Sequence, residues 1–148
     1  MPNTPLPDEI LPLQDPATSL SKRAARRIIQ RAFVMMGRDK VMRQQIRELE
    51  ITTLWILEDW GLEWTVYLHR GKFELERRPA KRPDVTLSWP TAREFFQQVD
   101  RTGEANVQVQ ILPPQEHRRF FETLLRGFFN SLRHVLANPV DALGESLL

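Results

Sequence analysis

Alternating apolar and polar positions dominate the middle of the chain. Between Leu62 and His69 every second residue is large and apolar, which is the pattern of a strand with one buried face. The alternation returns at Phe73–Glu76 and, after a polar loop, at Val85–Trp89. A turn at His69–Lys72 separates the first two of these segments. The pattern predicts three strands that share one apolar face.

Two further segments predict strands beside this block. Ile51–Leu57 is apolar at most positions of both alternating sets, which is typical of a central strand or of one covered on both sides. In the segment 106–111, Val107, Val109 and Ile111 alternate with polar residues, so we expect a fifth strand whose polar face meets water.

Helical periodicity appears on either side of the predicted strands. Apolar residues recur at helical spacing over Leu20–Met36 and again over Phe120–Leu136, which predicts two amphipathic helices. We expect Gly37 to end the first of them, and a shorter helical turn to follow at Lys40–Gln45.

Two other sites carry the residue types that begin a helix. Thr91 and Glu94 have the spacing of a capping box, which predicts a helix that begins there and ends near Gly103. Near the C-terminus, Asn138 and Pro139 predict one more short helical turn.

The order of these elements resembles the sterol carrier protein 2 family. Members of that family have a strand that ends at a Gly-Lys pair, a second strand, a third strand led by Pro-Asp, and an amphipathic helix. In this chain the corresponding features are Gly71–Lys72, Phe73–Glu76, Pro83–Asp84 and Thr91–Arg101, and the resemblance covers roughly residues 46–128. It implies an α/β (α+β) fold in which helices are layered on one face of a roughly five-stranded, mainly antiparallel or mixed sheet.

Composition divides the chain into an arm and one domain. Residues 1–16 are proline-rich and lack periodicity, so we expect an extended arm, whereas 17–148 is long enough for a single domain of this family with a C-terminal amphipathic helix. No apolar run approaches the roughly 20 residues that a membrane span needs, and the N-terminus does not resemble a signal peptide. A cytoplasmic location is therefore expected.

The resemblance implies a function in binding lipids. Members of the family enclose acyl chains, sterols or other lipids in a tunnel between sheet and helices, and bacterial relatives include accessory factors of ubiquinone biosynthesis. This chain departs from the family at Ile111–Pro114, where a Gly-Asp pair usually ends a strand, so the lip of the cavity is expected to differ. The expected ligand is a fatty acyl chain, a sterol or an isoprenoid quinone precursor.

The ligand would be held by apolar residues between the two layers, and each buried methylene would contribute about 0.8 kcal/mol. The same side chains have a simpler explanation, since aromatic residues at helical spacing also fill cores at normal packing density. The predicted ligand-binding residues are Trp55, Leu57, Trp64, Val66, Leu68, Phe73, Leu75, Val85, Leu87, Trp89, Phe95, Val99, Phe120, Leu124 and Phe128.

Positive charge is concentrated on the first predicted helix. No acidic residue lies between Asp15 and Asp39, although the net charge of the whole chain is only +2. Three interpretations of the basic face of this helix are open: contact with an anionic membrane, contact with a protein or nucleic-acid partner, or exposure to solvent alone. Nucleic acid is disfavoured because no recognised motif is present. The second hypothesis for the whole protein is therefore an interaction module without a cavity that binds its partner through residues 20–36. The predicted contact residues are Lys22, Arg23, Arg26 and Arg27.

Catalytic chemistry has little support in the sequence. The chain has no cysteine, its three histidines are not at metal-ligand spacing, and it has neither a phosphate-binding glycine loop nor a nucleophile elbow. Adjacent carboxylates such as Glu58 and Asp59 are the nearest approach to an acid–base pair. We expect a non-catalytic protein without a metal or cofactor.

Overall fold

The computed structural model describes residues 20–99, 108–111 and 116–148. The predicted arm 1–16, the predicted helix end at Gly103 and the first two residues of the predicted fifth strand, 106 and 107, lie outside these residues. The described elements in chain order are helices and strands α1 (Lys22–Arg38), α2 (Lys40–Gln45), β1 (Glu50–Leu57), β2 (Leu62–His69), β3 (Lys72–Glu76), β4 (Val85–Trp89), α3 (Ala92–Gln97), β5 (Gln108–Ile111) and α4 (Glu116–Ala137).

The strands form one five-stranded mixed sheet. Its order is β3-β2-β1-β4-β5, and β1 pairs parallel with β4 while the other neighbours are antiparallel. The α+β class with a mixed five-stranded sheet is therefore confirmed. The strand with apolar residues on both faces, β1, lies at the centre as its composition predicted.

The apolar faces of the strands coincide in the sheet. Trp55 on β1 lies opposite Trp64 on β2 and Leu87 on β4, so the large residues of the three strands share one face. Phe33 of α1 and Phe128 of α4 pack on Trp55, with ring centroids 5.0 Å and 4.9 Å away. The two long helices thus cover this face of the sheet and form the core with it.

The other face of the sheet is partly covered by the connection from β3 to β4. This connection has to pass β2 and β1, and Thr65 on β2 holds it by donating to the Arg78 carbonyl (2.6 Å) and accepting from the Ala80 N–H (3.0 Å). Closer to β4, the Thr52 N–H donates to the Asp84 carboxylate at 2.8 Å. Thr65 is fully buried as a result, although its place in the alternation predicted an outward position.

Helix α1 does not end at Gly37 as predicted. It continues to Arg38, and Asp39 then begins α2, because the Asp39 carboxylate accepts from the Met42 N–H at 2.8 Å. On the fifth strand, Val109 belongs to the predicted apolar face but is 39% exposed.

The predicted helical turn at Asn138 and Pro139 is wrong. Residues 138–148 contain no helix, and Val140 pairs with Ser146 in an isolated β-bridge. The turn between them is closed by Asp141, whose carboxylate accepts from the backbone N–H groups of residues 143 and 145 at 2.8 Å and 2.9 Å. This carboxylate overrides the local preference for a helix start.

Length and hydropathy of the helices in the described ranges give no candidate for a membrane span.

Thr91 caps α3, since its hydroxyl accepts from the Glu94 N–H at 3.1 Å. Replacing an N-cap threonine by alanine leaves that N–H without its partner. We expect Thr91→Ala to lower the free energy of unfolding by about 1 kcal/mol in urea denaturation, and Thr91→Ser to lower it much less because the hydroxyl is kept. Equal losses in the two variants would contradict the cap.

Candidate functional site

The predicted ligand-binding residues fall into two groups in the structure. Phe73, Leu75 and Phe120 are partly exposed, whereas every other member of the set is buried in the core. Phe73 and Leu75 lie on β3 at the edge of the sheet. The buried members lie on the inner strands and on the helices above them, except Val99, which follows α3.

The buried aromatic members contact one another. The ring centroids of Trp89 and Phe95 are 5.0 Å apart, those of Phe95 and Phe128 are 5.8 Å apart, and those of Trp55 and Trp89 are 5.9 Å apart. These distances are typical of packed aromatic pairs. The centre of the predicted tunnel wall is therefore occupied by side chains in mutual contact.

The indole N–H groups in this cluster differ in their partners. Trp55 donates to Thr53 at 2.8 Å and Trp89 donates to Gln98 at 3.0 Å, both in buried surroundings. The Trp64 indole N–H is also buried but has no hydrogen-bond partner among the described residues. Such an unpaired donor is costly, so Trp64 contributes to the core through its ring rather than through its polar atom.

Two of the three partly exposed members of the predicted set, Phe73 and Leu75, line an open cavity of about 550 Å³. We call it the edge groove. Its wall is formed by the C-terminal part of α1, by α2 and by consecutive residues of the turn and strand at β3. The lining residues are Val34, Gly37, Arg38, Arg43, Gly71, Lys72, Phe73, Glu74 and Leu75.

The edge groove follows the free edge of β3. Phe73 and Leu75 point to the helix side of the sheet, opposite Leu68 and Val66 in register, and Lys72 and Glu74 alternate with them on the other side. Because residues from both faces of β3 line the cavity, it runs along the outer edge of this strand and not over one face of the sheet. In the described part of the chain, no backbone hydrogen bond reaches β3 except those from β2.

Gly37 allows α1 to approach the strand. A Cβ atom at this position would lie 2.7 Å from the Cγ and Cδ1 atoms of Phe73. The glycine that the sequence marked as a helix end therefore serves as the contact of α1 with the Phe73 ring. This contact sets the distance between the two walls of the edge groove.

The polar part of the edge groove is mainly cationic. Arg38, Arg43 and Lys72 line it together with a single carboxylate, Glu74, and none of these four forms an ion pair with another described residue. Glu76 at the far end of β3 is different, because Arg78 lies 3.5 Å away. The groove thus combines an apolar floor with three cations that have no partner in the described ranges.

The predicted contact residues on α1 do not form one solvated surface. Lys22 and Arg23 are exposed, whereas Arg26 and Arg27 are half-buried. Arg27 donates to the Ser146 carbonyl at 3.4 Å, so it faces the C-terminal segment of its own chain. Whether the remaining residues meet a membrane or a partner stays a prediction.

The adjacent carboxylates after β1 have structural partners. Asp59 accepts from the Ala92 N–H at 2.9 Å and so helps to begin α3, and Glu58 accepts a hydrogen bond from the Ser88 hydroxyl. Among the described residues, no three His, Asp or Glu side chains are grouped closely enough to hold a metal ion.

Sequence reasoning missed much of the edge groove. Neither Val34 nor Arg43 is among the residues that the sequence predicted for a site. Phe33 was also missed, although it lies four residues after Ile29 on the same helix face and is fully buried. That spacing was a usable signal for Phe33, whereas nothing local indicates that Arg43 lies near β3.

Comparison with known proteins leaves the family of the chain open. No family model matches the sequence, and no curated protein matches it significantly. A solved structure of the stereoselective inverting sec-alkylsulfatase Pisa1 from Pseudomonas sp. is similar over 53% of this chain, with 17% identity and a TM-score of 0.43. A double mutant of that enzyme gives a TM-score of 0.44 at the same identity, and the chain spans only 13% of either sulfatase chain.

A third structure is described as a UbiJ-SCP2 ubiquinone synthesis protein. It is similar over 71% of this chain and 94% of its own, with 14% identity and a TM-score of 0.46. At such identities and TM-scores the likeness to the sterol carrier protein 2 family remains a resemblance.

The contact of Gly37 with Phe73 predicts that Gly37→Ala affects stability differently in the unmodified protein and in a Phe73→Ala variant. Gly37→Ala should destabilise the protein, because the new Cβ displaces the Phe73 ring. In a Phe73→Ala background the same change should be neutral or stabilising by up to about 1 kcal/mol, since alanine is the better helix former. A double-mutant cycle by urea denaturation measures this coupling, and additive effects would contradict the contact.

Asp141 in the C-terminal turn predicts that the stability of the protein falls at acidic pH. Hydrogen bonds from the backbone N–H groups of Glu145 and Leu143, and then the charges of Arg27 and Arg31, lower the pKa of Asp141. The folded protein therefore binds this proton less readily than the unfolded chain. The stabilisation is fully present above the ordinary carboxyl value of about 4 and is lost as the pH falls through the lower, folded value.

Asp141→Asn removes the titrating group. We expect the variant to be less stable at neutral pH and to lose less further stability on acidification than the unmodified protein. Thermal melting between neutral pH and the onset of acid unfolding measures both quantities. If the melting temperatures of the two proteins differed by the same amount at every pH, the stabilising role of the Asp141 carboxylate would be contradicted.

Proposed function

We propose that this protein is a non-catalytic binding protein for a lipid or another long apolar ligand, and that it takes this ligand in the edge groove. The observation that carries the proposal is the partial exposure of Phe73 and Leu75 in a cavity of about 550 Å³. This volume falls within the range of about 300–1,000 Å³ that is common for ligand pockets. The candidate ligands are a fatty acyl chain, a sterol and an isoprenoid quinone precursor.

The apolar wall supplies the driving force. Val34 and Leu75 add aliphatic surface to the Phe73 ring, and each methylene that a ligand removes from water there contributes about 0.8 kcal/mol before ordering costs. Affinity should therefore rise by up to about fourfold for each added methylene until the groove is full.

The charged wall favours one type of ligand among the candidates. Arg38, Arg43 and Lys72 outnumber Glu74, so a carboxylate or phosphate at one end of the ligand would gain charge-assisted hydrogen bonds. A long-chain fatty acid satisfies both walls. A neutral sterol would use only the apolar one.

An interaction module is the second candidate, and the position of the groove favours it. Extended peptides bind other proteins by adding a strand to an exposed sheet edge, with alternate side chains in adjacent pockets. The free edge of β3 beside α1 has that geometry. In this second hypothesis the partner binds at β3 rather than through the exposed residues of α1.

Calorimetric titration with saturated fatty acids of increasing length tests the first proposal. Val34→Gln should weaken binding by about 1 kcal/mol, a factor of about five, because a polar group replaces apolar wall. Val41→Gln is the matched control, since Val41 is 62% exposed and does not line the groove.

An alkylamine of equal length distinguishes the contribution of the charged wall. It should bind more weakly than the fatty acid, and the difference should shrink at high salt. Absence of saturable binding by every chain length would overturn the proposal, and equal effects of the two valine variants would place the ligand elsewhere.

A further inference from the structure

We propose that the edge groove is the docking site for the chain's own residues 8–13, in an extended conformation across β3 and the end of α1. The inference concerns the groove and the sequence that precedes α1. It does not depend on the binding of a lipid, because it follows from the strand edge, the charges and the reach of the chain.

The groove defines the chemistry of its occupant. The outer edge of β3 favours an extended backbone, because its N–H and C=O groups have no backbone partner among the described residues. Phe73 and Leu75 favour apolar side chains on the helix side. Arg38, Arg43 and Lys72 favour negative charge in the occupant, because Glu74 is the single carboxylate among the lining residues.

The sequence before α1 has this chemistry. Residues 1–19 contain no lysine, arginine or histidine but three acidic residues, Asp8, Glu9 and Asp15. Between the acidic residues lie Ile10, Leu11, Pro12 and Leu13. Proline reduces the entropy lost when the segment is ordered, and it is tolerated on an edge strand where its missing N–H is not needed.

The length of the chain allows the contact. Val34 lies 14 residues after Leu20, a distance of about 21 Å along a helix. Ile10 lies 10 residues before Leu20 and can reach about 33 Å when the chain is extended. The segment is therefore long enough to run back along α1 and cross the groove.

Tethering favours this occupant over a free one. A segment joined to the domain by a short linker has an effective concentration in the millimolar range at its site. Weak individual contacts therefore suffice to populate the docked state. The competing cationic surface is at the start of α1, where Lys22 and Arg23 are exposed, but these residues do not line the groove.

Paramagnetic relaxation in the full chain tests the proposal. The chain contains no cysteine, so Gln14→Cys provides a unique position for a nitroxide label directly beside the segment. We expect the backbone amide signals of Gly71–Leu75 to lose most of their intensity when the label is oxidised. Glu9→Lys should restore much of that intensity, the matched reversal Glu122→Lys should not, and adding Arg38→Glu to Glu9→Lys should bring the broadening back.

Three results would overturn the proposal. The first is unbroadened β3 signals, and the second is broadening confined to Lys22–Arg26, which would place the segment on the start of α1. The third is broadening of an isotope-labelled protein by an unlabelled copy that carries the nitroxide, which would make the occupant a second molecule.

The same variants separate this proposal from the proposed function. If the groove takes both occupants, Glu9→Lys should raise the affinity for a fatty acid, because the competing segment is weakened. Broadening at β3 without any fatty acid binding would support the docked segment and remove the lipid ligand.

Discussion

The parallel pairing of β1 with β4 is the constraint on which the rest of the structure depends. Parallel neighbours require a crossover, and here the crossover contains the whole β2–β3 hairpin before the chain returns to β4. Thr65 holds the returning chain on the face away from the long helices, and Asp84 ties it to the backbone of β1 directly before β4 begins. This route leaves β3 at the end of the sheet, where its outer side has no partner among the described strands.

The aromatic core transmits this arrangement to the helices. Phe33 lies 4.3 Å from Phe128 and 5.0 Å from Trp55 between ring centroids, so one residue of α1 is in contact with both α4 and the central strand. The position of α1 over the sheet is therefore determined by packing four residues before Gly37. Because Gly37 has no side chain, the same helix can then contact Phe73 and form a wall of the edge groove.

The sequence predicted the elements and the inner face of the sheet because both are local consequences of periodicity. It did not predict the burial of Thr65, since that depends on a connection that crosses the sheet from a distant strand. The preference of Asn138 and Pro139 for a helix start was overridden by the hydrogen bonds of Asp141. For the site, alternation indicated Phe73 and Leu75, but no local pattern places Arg43 beside them.

An open strand edge is also a route to aggregation, because it offers a template for an identical strand. On β3 the residues that face away from the helices are Lys72, Glu74 and Glu76. In a parallel, in-register pair of two such strands every one of these charges would face its like, which is unfavourable. The charges along β3 therefore disfavour a parallel, in-register stack of copies of this strand, independent of any ligand.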